Sequence, residues 1–290
     1  MKILLFGGQG QLGYEVMKRA RDLDFEIVSP VLTEVDITDE QQVKKCVSSI
    51  KPSVVVNCAA YTAVDRAEHE QEEAFKVNRD AAGYVAEACR DSGCRMIHIS
   101  TDYVFDGSLG RPLAEDDPVN PLSVYGRSKY EGEQRVLESL GREALVIRTQ
   151  ALFGLKGVNF VHSMLKLFPE RASLKVVGDQ IVSPTWAGWL AEVVLDCVRL
   201  PLAGVVHASC QGTVSWLDFA RHIQELVRPF FKEPLAVIEP TTARELNRPA
   251  QRPAYSAFDT SRLTSLLGRP PISWQEGLRN YLQELGYAVQ

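Results

Sequence analysis

Short apolar runs alternate with segments of helical periodicity along the first half of the chain. The run from Ile3 to Phe6 contains no polar residue, and the run from Val54 to Val56 is entirely β-branched. Such runs are typical of parallel strands that are buried on both faces. The other strand candidates are 25–29, 96–100 and 145–149. The alternation of these strands with helical segments predicts an α/β fold with a doubly wound, Rossmann-like parallel sheet.

Beyond residue 150 the alternation loosens, and prolines and glycines become frequent between the periodic segments. We expect residues 1–150 to form a dinucleotide-binding domain, with some return of later segments to it. Residues 151–290 then form mainly a smaller C-terminal α/β lobe that binds the substrate. The helices predicted in this second part are 158–168, 185–199, 215–228 and 274–285.

The first predicted strand leads into a glycine-rich turn, GGQGQLG at 7–13, and then into a segment of good helix formers. A strand, a glycine turn and a helix in this order form the phosphate-binding corner of dinucleotide folds. Gly7, Gly10 and Gly13 would let the turn close and let backbone N–H groups approach a pyrophosphate, next to a positive helix N-terminus. The first interval is one residue wider than in the commonest fingerprint, and a tight turn without a ligand is the alternative interpretation.

The end of the second predicted strand bears on the choice of dinucleotide. This strand ends in Ser29-Pro30, so no carboxylate stands where it would repel the 2′-phosphate of NADPH. The sequence therefore favours NADPH, with NADH as an alternative. Asp36 follows, and it would lie against the adenosine or belong to the start of the next helix, where Thr38 or Asp39 is expected to act as the cap.

A catalytic group is predicted from Thr101, just past the fourth strand, with Tyr125 and Lys129 on a later helix. Tyr125 and Lys129 are four residues apart, so their side chains share one helix face. A nearby ammonium stabilises a phenolate and would bring the tyrosine closer to the pKa that proton transfer needs. Thr101 would hydrogen-bond the same substrate oxygen. The alternative is an exposed helix pair without chemistry, whereas His98, inside a strand, is expected to be a packed core residue.

Composition and charge narrow the classes of partner. With 290 residues and a net charge of −5, the chain presents no basic field, so nucleic acid is not an expected partner. The N-terminal apolar run is too short for a signal peptide, and no stretch approaches a membrane span, so we expect a cytoplasmic protein without membrane contact. The histidines show no ligand spacing. The cysteines are scattered, at positions 46, 58, 89, 94, 197 and 210, and none forms a Cys-x-x-Cys pair. We expect them to be reduced thiols.

These motifs together resemble the extended short-chain dehydrogenase/reductase family, and more narrowly the dTDP-4-dehydrorhamnose reductase family. The likeness covers essentially the whole chain. The segments that carry it are GGQGQLG (7–13), NCAAYTAVD (57–65), STDYVFDG (100–107), YGRSK (125–129), DQIVSPT (179–185) and RPAYS (252–256).

The resemblance implies NAD(P)H-dependent reduction of the 4-keto group of a nucleotide-linked 6-deoxy sugar, as in the last step of dTDP-L-rhamnose synthesis. It implies a cofactor site in which Lys129 also holds the nicotinamide ribose and Tyr125 lies beside the cofactor. The remaining implied cofactor residues are Gly10, Gln11 and Leu12 at the pyrophosphate, Asp36 and Ile37 at the adenosine, and Ala59, Ala60, Tyr61 and Thr62 along the cofactor. For the substrate we expect Thr101, Asp102, Val104, Asn159 and Arg252, with Arg252 as the candidate phosphate clamp.

Two positions bear on the reaction and on the sugar. Related dehydratases place Asp-Glu after the catalytic Thr, whereas Asp102 is followed here by Tyr103, which favours simple reduction over elimination. The reductases typically carry a Trp in the motif after the fifth strand, and Ala151 occupies that position, which removes stacking area for the sugar. A reductase or epimerase of another keto sugar, or a non-catalytic cofactor-binding regulatory subunit, therefore stays open.

Some members of the family hold Mg²⁺ through glutamates at a dimer interface. Glu15 matches one such position and Glu192 is a candidate for a second, but the sequence offers no third ligand. The alternative is that both are solvated helix residues. We therefore expect no metal site as the primary interpretation, with Mg²⁺ at a homodimer interface as the alternative.

Overall fold

The computed structural model describes residues 1–289, and twelve strands occur within this range. Nearly all of the sequence-predicted strands end within one residue of their predicted limits. The strands are β1 (Lys2–Phe6), β2 (Glu26–Val28), β3 (Val54–Asn57), β4 (Arg95–Thr101), β5 (Ala144–Thr149), β6 (Leu152–Phe153), β7 (Ser173–Val177), β8 (Ile181–Val182), β9 (Thr185–Trp186), β10 (Gly204–His207), β11 (Val214–Ser215) and β12 (Val237–Thr241).

Helices of very different length connect these strands. The helices are α1 (Gln11–Arg19), α2 (Glu40–Ile50), α3 (Val64–Ala67), α4 (Gln71–Phe75), α5 (Ala81–Ser92), α6 (Val124–Leu140), α7 (Phe160–Glu170), α8 (Ala187–Arg199), α9 (Trp216–Val227), α10 (Ala243–Leu246), α11 (Ser261–Leu267) and α12 (Trp274–Glu284). The four helices predicted in the second half correspond to α7, α8, α9 and α12, with ends displaced by at most two residues. No helix within residues 1–289 is both long and apolar enough to cross a membrane.

Six strands form one parallel sheet in the order β10-β5-β4-β3-β1-β2. This confirms the predicted α/β class with a Rossmann-like sheet. The strand order reverses between β1 and β3, and ligands of such sheets bind at the carboxyl ends of the strands beside the reversal. Phe6 and Asn57 are aligned across these two strands. The glycine turn after β1 and the small residues after β3 therefore lie side by side.

Of the six strands in this sheet, β10 is the one that was not predicted from the sequence. It pairs with β5, with Gly204 opposite Leu145 and His207 opposite Arg148. Only two apolar residues lie between Gly204 and His207, which is too short a run for a strand signal. The strand lies beyond residue 150 in sequence, yet it forms an edge of the main sheet.

The core consists of two layers, one on each face of the sheet. Ile3 and Leu5 of β1 pack into the layer formed with α1 and α8, and Leu4 and Phe6 pack into the layer formed with α2 and α5. Successive residues of a strand point to opposite faces, so a run of four apolar residues supplies both layers. The smaller sheets, β7 with β12, β8 with β11 and β6 with β9, lie in the second half of the chain.

Candidate active site

A cavity of about 1210 Å³ lies at the carboxyl ends of β1, β3, β4 and β5. Its walls include the residues that directly follow each of these strands, together with residues of α6, α7 and β7. The sequence-predicted residues that line it are Gly7, Gly10, Gln11, Leu12, Asp36, Ile37, Ala59, Ala60, Thr62, Thr101, Asp102, Tyr125, Lys129, Asn159 and Arg252.

The glycine turn fits closely against the backbone after β3. Gly7 has a φ of +80°, and a Cβ there would lie 2.5 Å from the amide nitrogen of Ala59. A Cβ on Gly13 would lie 2.2 Å from the carbonyl oxygen of Gly7, so Gly13 closes the turn and does not face the cavity. Gly10 is the N-cap of α1 and supplies no side chain, so the first N–H groups of this helix are left without a side-chain acceptor. The turn thus offers backbone donors to an anion.

The predicted adenosine end of the cavity is built on turns that its own polar groups stabilise. Oδ1 of Asp36 accepts hydrogen bonds from the amide of Thr38 at 2.9 Å and from its hydroxyl at 2.8 Å. The N-cap of α2 is Asp39, whose carboxylate accepts from two amides of the first turn. Asp36 therefore lines the cavity, where it was expected to lie against the adenosine, and it also stabilises the turn before α2.

Two predicted site residues, Tyr61 and Val104, do not face the cavity. The hydroxyl of Tyr61 donates to Oε2 of Glu70 at 2.5 Å, and its amide donates to Oδ1 of Asn78 at 2.9 Å. The side chain of Val104 is fully buried and packs with Phe105 in a separate apolar cluster. The Tyr61 side chain thus belongs to a partly buried hydrogen-bond network and Val104 to the core, and their predicted roles in binding stay predictions.

Thr101, Tyr125 and Lys129 come together in the cavity wall, and each is buried. Thr101 ends β4, and the other two residues lie on the first turns of α6. Ser123 caps this helix by accepting from the amide of Gly126 at 3.1 Å. A Cβ on Gly126 would lie 2.2 Å from the carbonyl oxygen of Tyr103, so the glycine allows α6 to approach the segment after β4.

Burial dominates the electrostatics of this group. It raises the pKa of Tyr125, and a hydrogen bond with Thr101 opposes the increase. It lowers the pKa of Lys129 to about 8, although the Glu133 carboxylate opposes this. From the sequence, the Lys129 ammonium was expected to lower the pKa of Tyr125. In the structure Lys129 Nζ instead donates to the carbonyl oxygen of Ile99 at 2.6 Å.

Asp102 is a buried carboxyl group at the centre of the cavity wall. Burial raises its pKa to about 6, while hydrogen bonds with Ser256 and Thr101 oppose the increase. Thr101 donates to Oδ1 of Asp102 at 3.1 Å. Gln150 extends the network, because its Nε2 donates to the carbonyl oxygen of Ser256 at 2.9 Å. Sequence reasoning missed Gln150 and Ser256, although Ser256 ends the RPAYS segment, because neither residue type by itself indicates contact with a buried carboxyl group.

The expected phosphate clamp, Arg252, is already paired. Its guanidinium forms two hydrogen bonds with the carboxylate of Asp65, at 3.0 and 2.8 Å. Arg248 also lines the cavity, is exposed, and makes no hydrogen bond or ion pair within residues 1–289. Lys175 of β7 and Trp216 line the same cavity. Arg248 and Lys175 are therefore the cations that this part of the cavity offers to an anionic ligand.

Asn159 lines the cavity, but its side-chain amide is hydrogen-bonded to the protein, including to the side chain of Gln11 in the glycine turn. It is the N-cap of α7, and its Oδ1 accepts from the amide of His162 at 2.9 Å. Its Nδ2 donates to Oε1 of Gln11 at 3.1 Å and to the carbonyl oxygen of Gly154 at 2.9 Å. All of its amide groups are engaged, so Asn159 fixes the position of Gln11.

The glutamates considered for Mg²⁺ surround a guanidinium. Arg19 pairs with the fully buried Glu15, and it lies 3.4 Å from Glu192 and 3.5 Å from Glu284. Lys18 binds Glu284 as well, at 2.8 Å. Across residues 1–289 no group of three His, Cys, Asp or Glu residues is arranged to hold a metal ion. The donor set therefore does not fit a metal, because Arg19 and Lys18 already bind these carboxylates.

The chain was compared with known families and proteins. The family model described as "RmlD substrate binding domain" matches residues 1–287. The spore coat polysaccharide biosynthesis protein SpsK of Bacillus subtilis is 37% identical over 98% of this chain and 97% of its own length. A dTDP-4-dehydrorhamnose reductase of Aggregatibacter actinomycetemcomitans is also 37% identical, over 96% of this chain and 97% of its own length.

A crystal structure of dTDP-4-dehydrorhamnose reductase from Bacillus anthracis, in complex with NADP, is similar to the whole chain. It superposes with a TM-score of 0.92 at 35% identity, and the match covers 98% of this chain and 99% of that one. These findings confirm the resemblance that the motifs indicated.

Proposed function

The chain belongs to the RmlD substrate binding domain family, and from that membership we propose that it is an NADPH-dependent reductase of a 4-keto-6-deoxy sugar linked to dTDP. The first candidate reaction is the conversion of dTDP-4-dehydro-L-rhamnose to dTDP-L-rhamnose. Relatives of this chain carry the name dTDP-4-dehydrorhamnose reductase.

The observation that carries the proposal is the convergence of Thr101, Tyr125 and Lys129 in one cavity wall, next to the glycine turn. Two hydroxyl groups side by side can donate to one substrate oxygen and polarise a carbonyl group for hydride attack. Tyr125 is neutral because burial raises its pKa, so it holds the proton that the new alkoxide takes up. The turn and the hydroxyl groups together support reduction of a ketone.

The cavity also fits a nicotinamide dinucleotide. The N–H groups at the start of α1 would hold the pyrophosphate, and Gly10, the N-cap, brings no side chain of its own to them. Ala59 and Ala60 leave room along the backbone after β3. When bound, the cofactor supplies the hydride. The residues of the chain bind and orient it, and they deliver the proton.

Position 103 supports reduction rather than elimination. Its tyrosine ring packs edge-on against Tyr125, with ring centroids 5.3 Å apart. With an aromatic ring at position 103, Asp102 has no second carboxyl group next to it in sequence. Elimination would need such an additional acid and base. The simplest chemistry that these groups support is transfer of one hydride and one proton.

The nucleotide part of the substrate would be held by the C-terminal lobe. Lys175 and Arg248 provide positive charge for a diphosphate, and both belong to residues 151–290, the proposed substrate lobe. Phe160 and Trp216, whose ring centroids are 4.6 Å apart, add an aromatic wall to the same cavity.

The test is a spectrophotometric assay with NADPH and dTDP-4-dehydro-L-rhamnose. We expect absorbance loss with turnover, and a rate at least about a hundredfold lower in Tyr125→Phe, the scale of losing a general acid. Tyr84→Phe on α5 is the matched control, because Tyr84 does not line the cavity. If no 4-keto sugar nucleotide is turned over, the chain is a cofactor-binding protein without this activity and the proposal is wrong.

A second candidate is a reductase or epimerase of another keto sugar nucleotide, and Ala151 favours it. This residue lines the cavity with a methyl group where the family typically has a Trp. A panel of keto sugar nucleotides separates the candidates, because an epimerase converts its substrate without net oxidation of NADPH.

A further inference from the structure

His98 lies in the interior of β4 and contacts the lysine of the proposed catalytic group. Its ring is 1% exposed, and its Nε2 lies 3.4 Å from Nζ of Lys129. On the other side, its Nδ1 lies 3.3 Å from Nδ2 of Asn57. When a buried imidazole has a polar neighbour at each ring nitrogen, those neighbours determine which nitrogen carries the proton.

The orientation of the Asn57 amide follows from the backbone. The amide of Ala59 donates to Oδ1 of Asn57 at 3.1 Å, so Oδ1 is an acceptor and Nδ2 faces His98. Because an amide NH₂ group only donates, Nδ1 of His98 must be the acceptor and carries no proton. Burial holds the pKa of His98 well below its usual range, so the ring is neutral. Its single proton therefore resides on Nε2 and points towards Lys129.

This places two potential donors opposite each other. An ammonium group at Lys129 and the Nε2–H of His98 cannot form a hydrogen bond, whereas a neutral amine accepts one. In the neutral form Lys129 keeps its other contact, because an amine still donates to the carbonyl oxygen of Ile99, 2.6 Å away.

Other titratable and charged groups also surround Lys129. Burial raises the pKa of the Cys58 thiol to about 12 and that of Tyr125 as well. Glu133, one turn along α6, is held by the buried Arg148 of β5 through hydrogen bonds of 2.9 and 2.7 Å. His98 is therefore the neighbour that acts on the proton of Lys129.

We propose that His98 is a positioning residue for Lys129, whose nitrogen it engages through Nε2–H so that Lys129 exchanges a proton instead of remaining a permanent cation. In the proposed reduction, Tyr125 gives its phenol proton to the new alkoxide. The Lys129 ammonium then releases one proton, which reaches the phenolate through solvent, and becomes the amine that His98 stabilises. Solvent returns that proton after the product leaves.

The tautomer is measurable without any substrate, on the full chain with ¹⁵N-labelled histidine. Long-range ¹H–¹⁵N spectra should show the proton of His98 on Nε2. His207 is the internal control, because its Nδ1 lies 2.9 Å from the carbonyl oxygen of Leu113 and must carry the proton there. His98→Gln and His207→Gln assign the two rings. A proton on Nδ1 of His98 would overturn the proposal.

The consequence for Lys129 is tested through the pH profile of kcat/KM, and this arm rests on the proposed function. His98→Leu removes the donor, so the basic limb of the profile should move to higher pH by about one unit. His98→Gln offers an amide N–H in its place and should retain the wild-type limb, as should His207→Gln. A limb that stays unchanged in a folded His98→Leu protein refutes the proposal. If the wild-type chain turns over no substrate, the proposed function fails while the ring spectra still decide the role of His98.

Discussion

Arg252 and Asp65 form a bidentate ion pair that joins the proline-rich loop after α10 to the start of α3. The two hydrogen bonds are 3.0 and 2.8 Å long, and the Arg252 side chain is 14% exposed. The guanidinium holds the pKa of Asp65 below its usual range. Arg252 thus fixes one wall of the cavity, and Arg248, four residues earlier in the same loop, remains available to an anion.

This division of roles predicts different consequences for the two arginines. Arg248→Met should raise the KM for the nucleotide sugar by about tenfold or more, because a charge-assisted hydrogen bond to phosphate contributes about 1.5–3 kcal/mol. It should leave the melting temperature unchanged. Arg252→Met should lower the melting temperature, since it leaves Asp65 without its partner, and should reduce kcat/KM through displacement of the loop. Equal losses of thermal stability in both variants would contradict this assignment.

Asp102 makes the stability of the protein depend on pH in an unusual direction. Burial raises its pKa from 3.8 to about 6, so between these values the folded state binds more protons than the unfolded state. The contribution of Asp102 to the free energy of unfolding is therefore highest at low pH and falls as the pH rises through this window, by about 3 kcal/mol at most.

Asp102→Asn removes this dependence. We expect the variant to unfold at about the same denaturant concentration as the wild type near pH 4, and at a higher concentration near pH 7. Asp106→Asn is the control with the opposite sign, because hydrogen bonds from Asn120 and Ser108 lower the pKa of Asp106. That variant should lose stability by a similar amount at both pH values, because a carboxyl group with a lowered pKa titrates below 3.8, under both of them. Chemical denaturation at the two pH values measures both differences.

The cofactor half of the site was predictable because it is local in sequence. The turn from Gly7 to Gly13 and the catalytic pair on α6 are contiguous motifs, and their spacing determines which groups share a turn or a helix face. The substrate half depends on contacts between distant segments. Nothing near Arg252 in sequence shows that Asp65, 187 residues away, is its partner. Lys175 lies on β7 and Arg248 lies in the chain after β12. The two residues line the same cavity only because β7 pairs with β12.

The adenosine end of the cavity predicts weak discrimination between NADPH and NADH. Residues 30–38 contribute no cation to the cavity wall for a 2′-phosphate, Ser29 after β2 presents no carboxylate, and the Asp36 carboxylate accepts hydrogen bonds from Thr38. We expect kcat/KM values for the two cofactors within about tenfold, equivalent to about 1.4 kcal/mol. Leu32 lines this end and is 70% exposed. Leu32→Arg should shift the ratio towards NADPH, with Leu32→Gln as the uncharged control.

Ala151 has a backbone conformation that favours glycine. Its φ is +44°, a region that costs a residue with a Cβ about 1–2 kcal/mol. Ala151→Gly should therefore leave the free energy of unfolding unchanged or increase it slightly, since relief of this strain offsets the added entropy of the unfolded chain. Ala86→Gly, inside α5 and fully buried, should lower it by about 1 kcal/mol or more. Urea denaturation of both variants checks the difference, and equal destabilisation would contradict the strain at Ala151.

Arg19 predicts that divalent metal has no structural role around Glu15. The guanidinium pairs with this buried carboxylate and stacks over the ring of Trp186, 4.7 Å from its centroid. Addition of EDTA or Mg²⁺ should therefore leave the melting temperature and the activity unchanged. Arg19→Met should cost about 3–5 kcal/mol, because it strands a buried charge, whereas the same change at the exposed Arg21 should cost little. A melting temperature of the wild-type protein that rises with Mg²⁺ would show that a metal competes with Arg19 for these carboxylates.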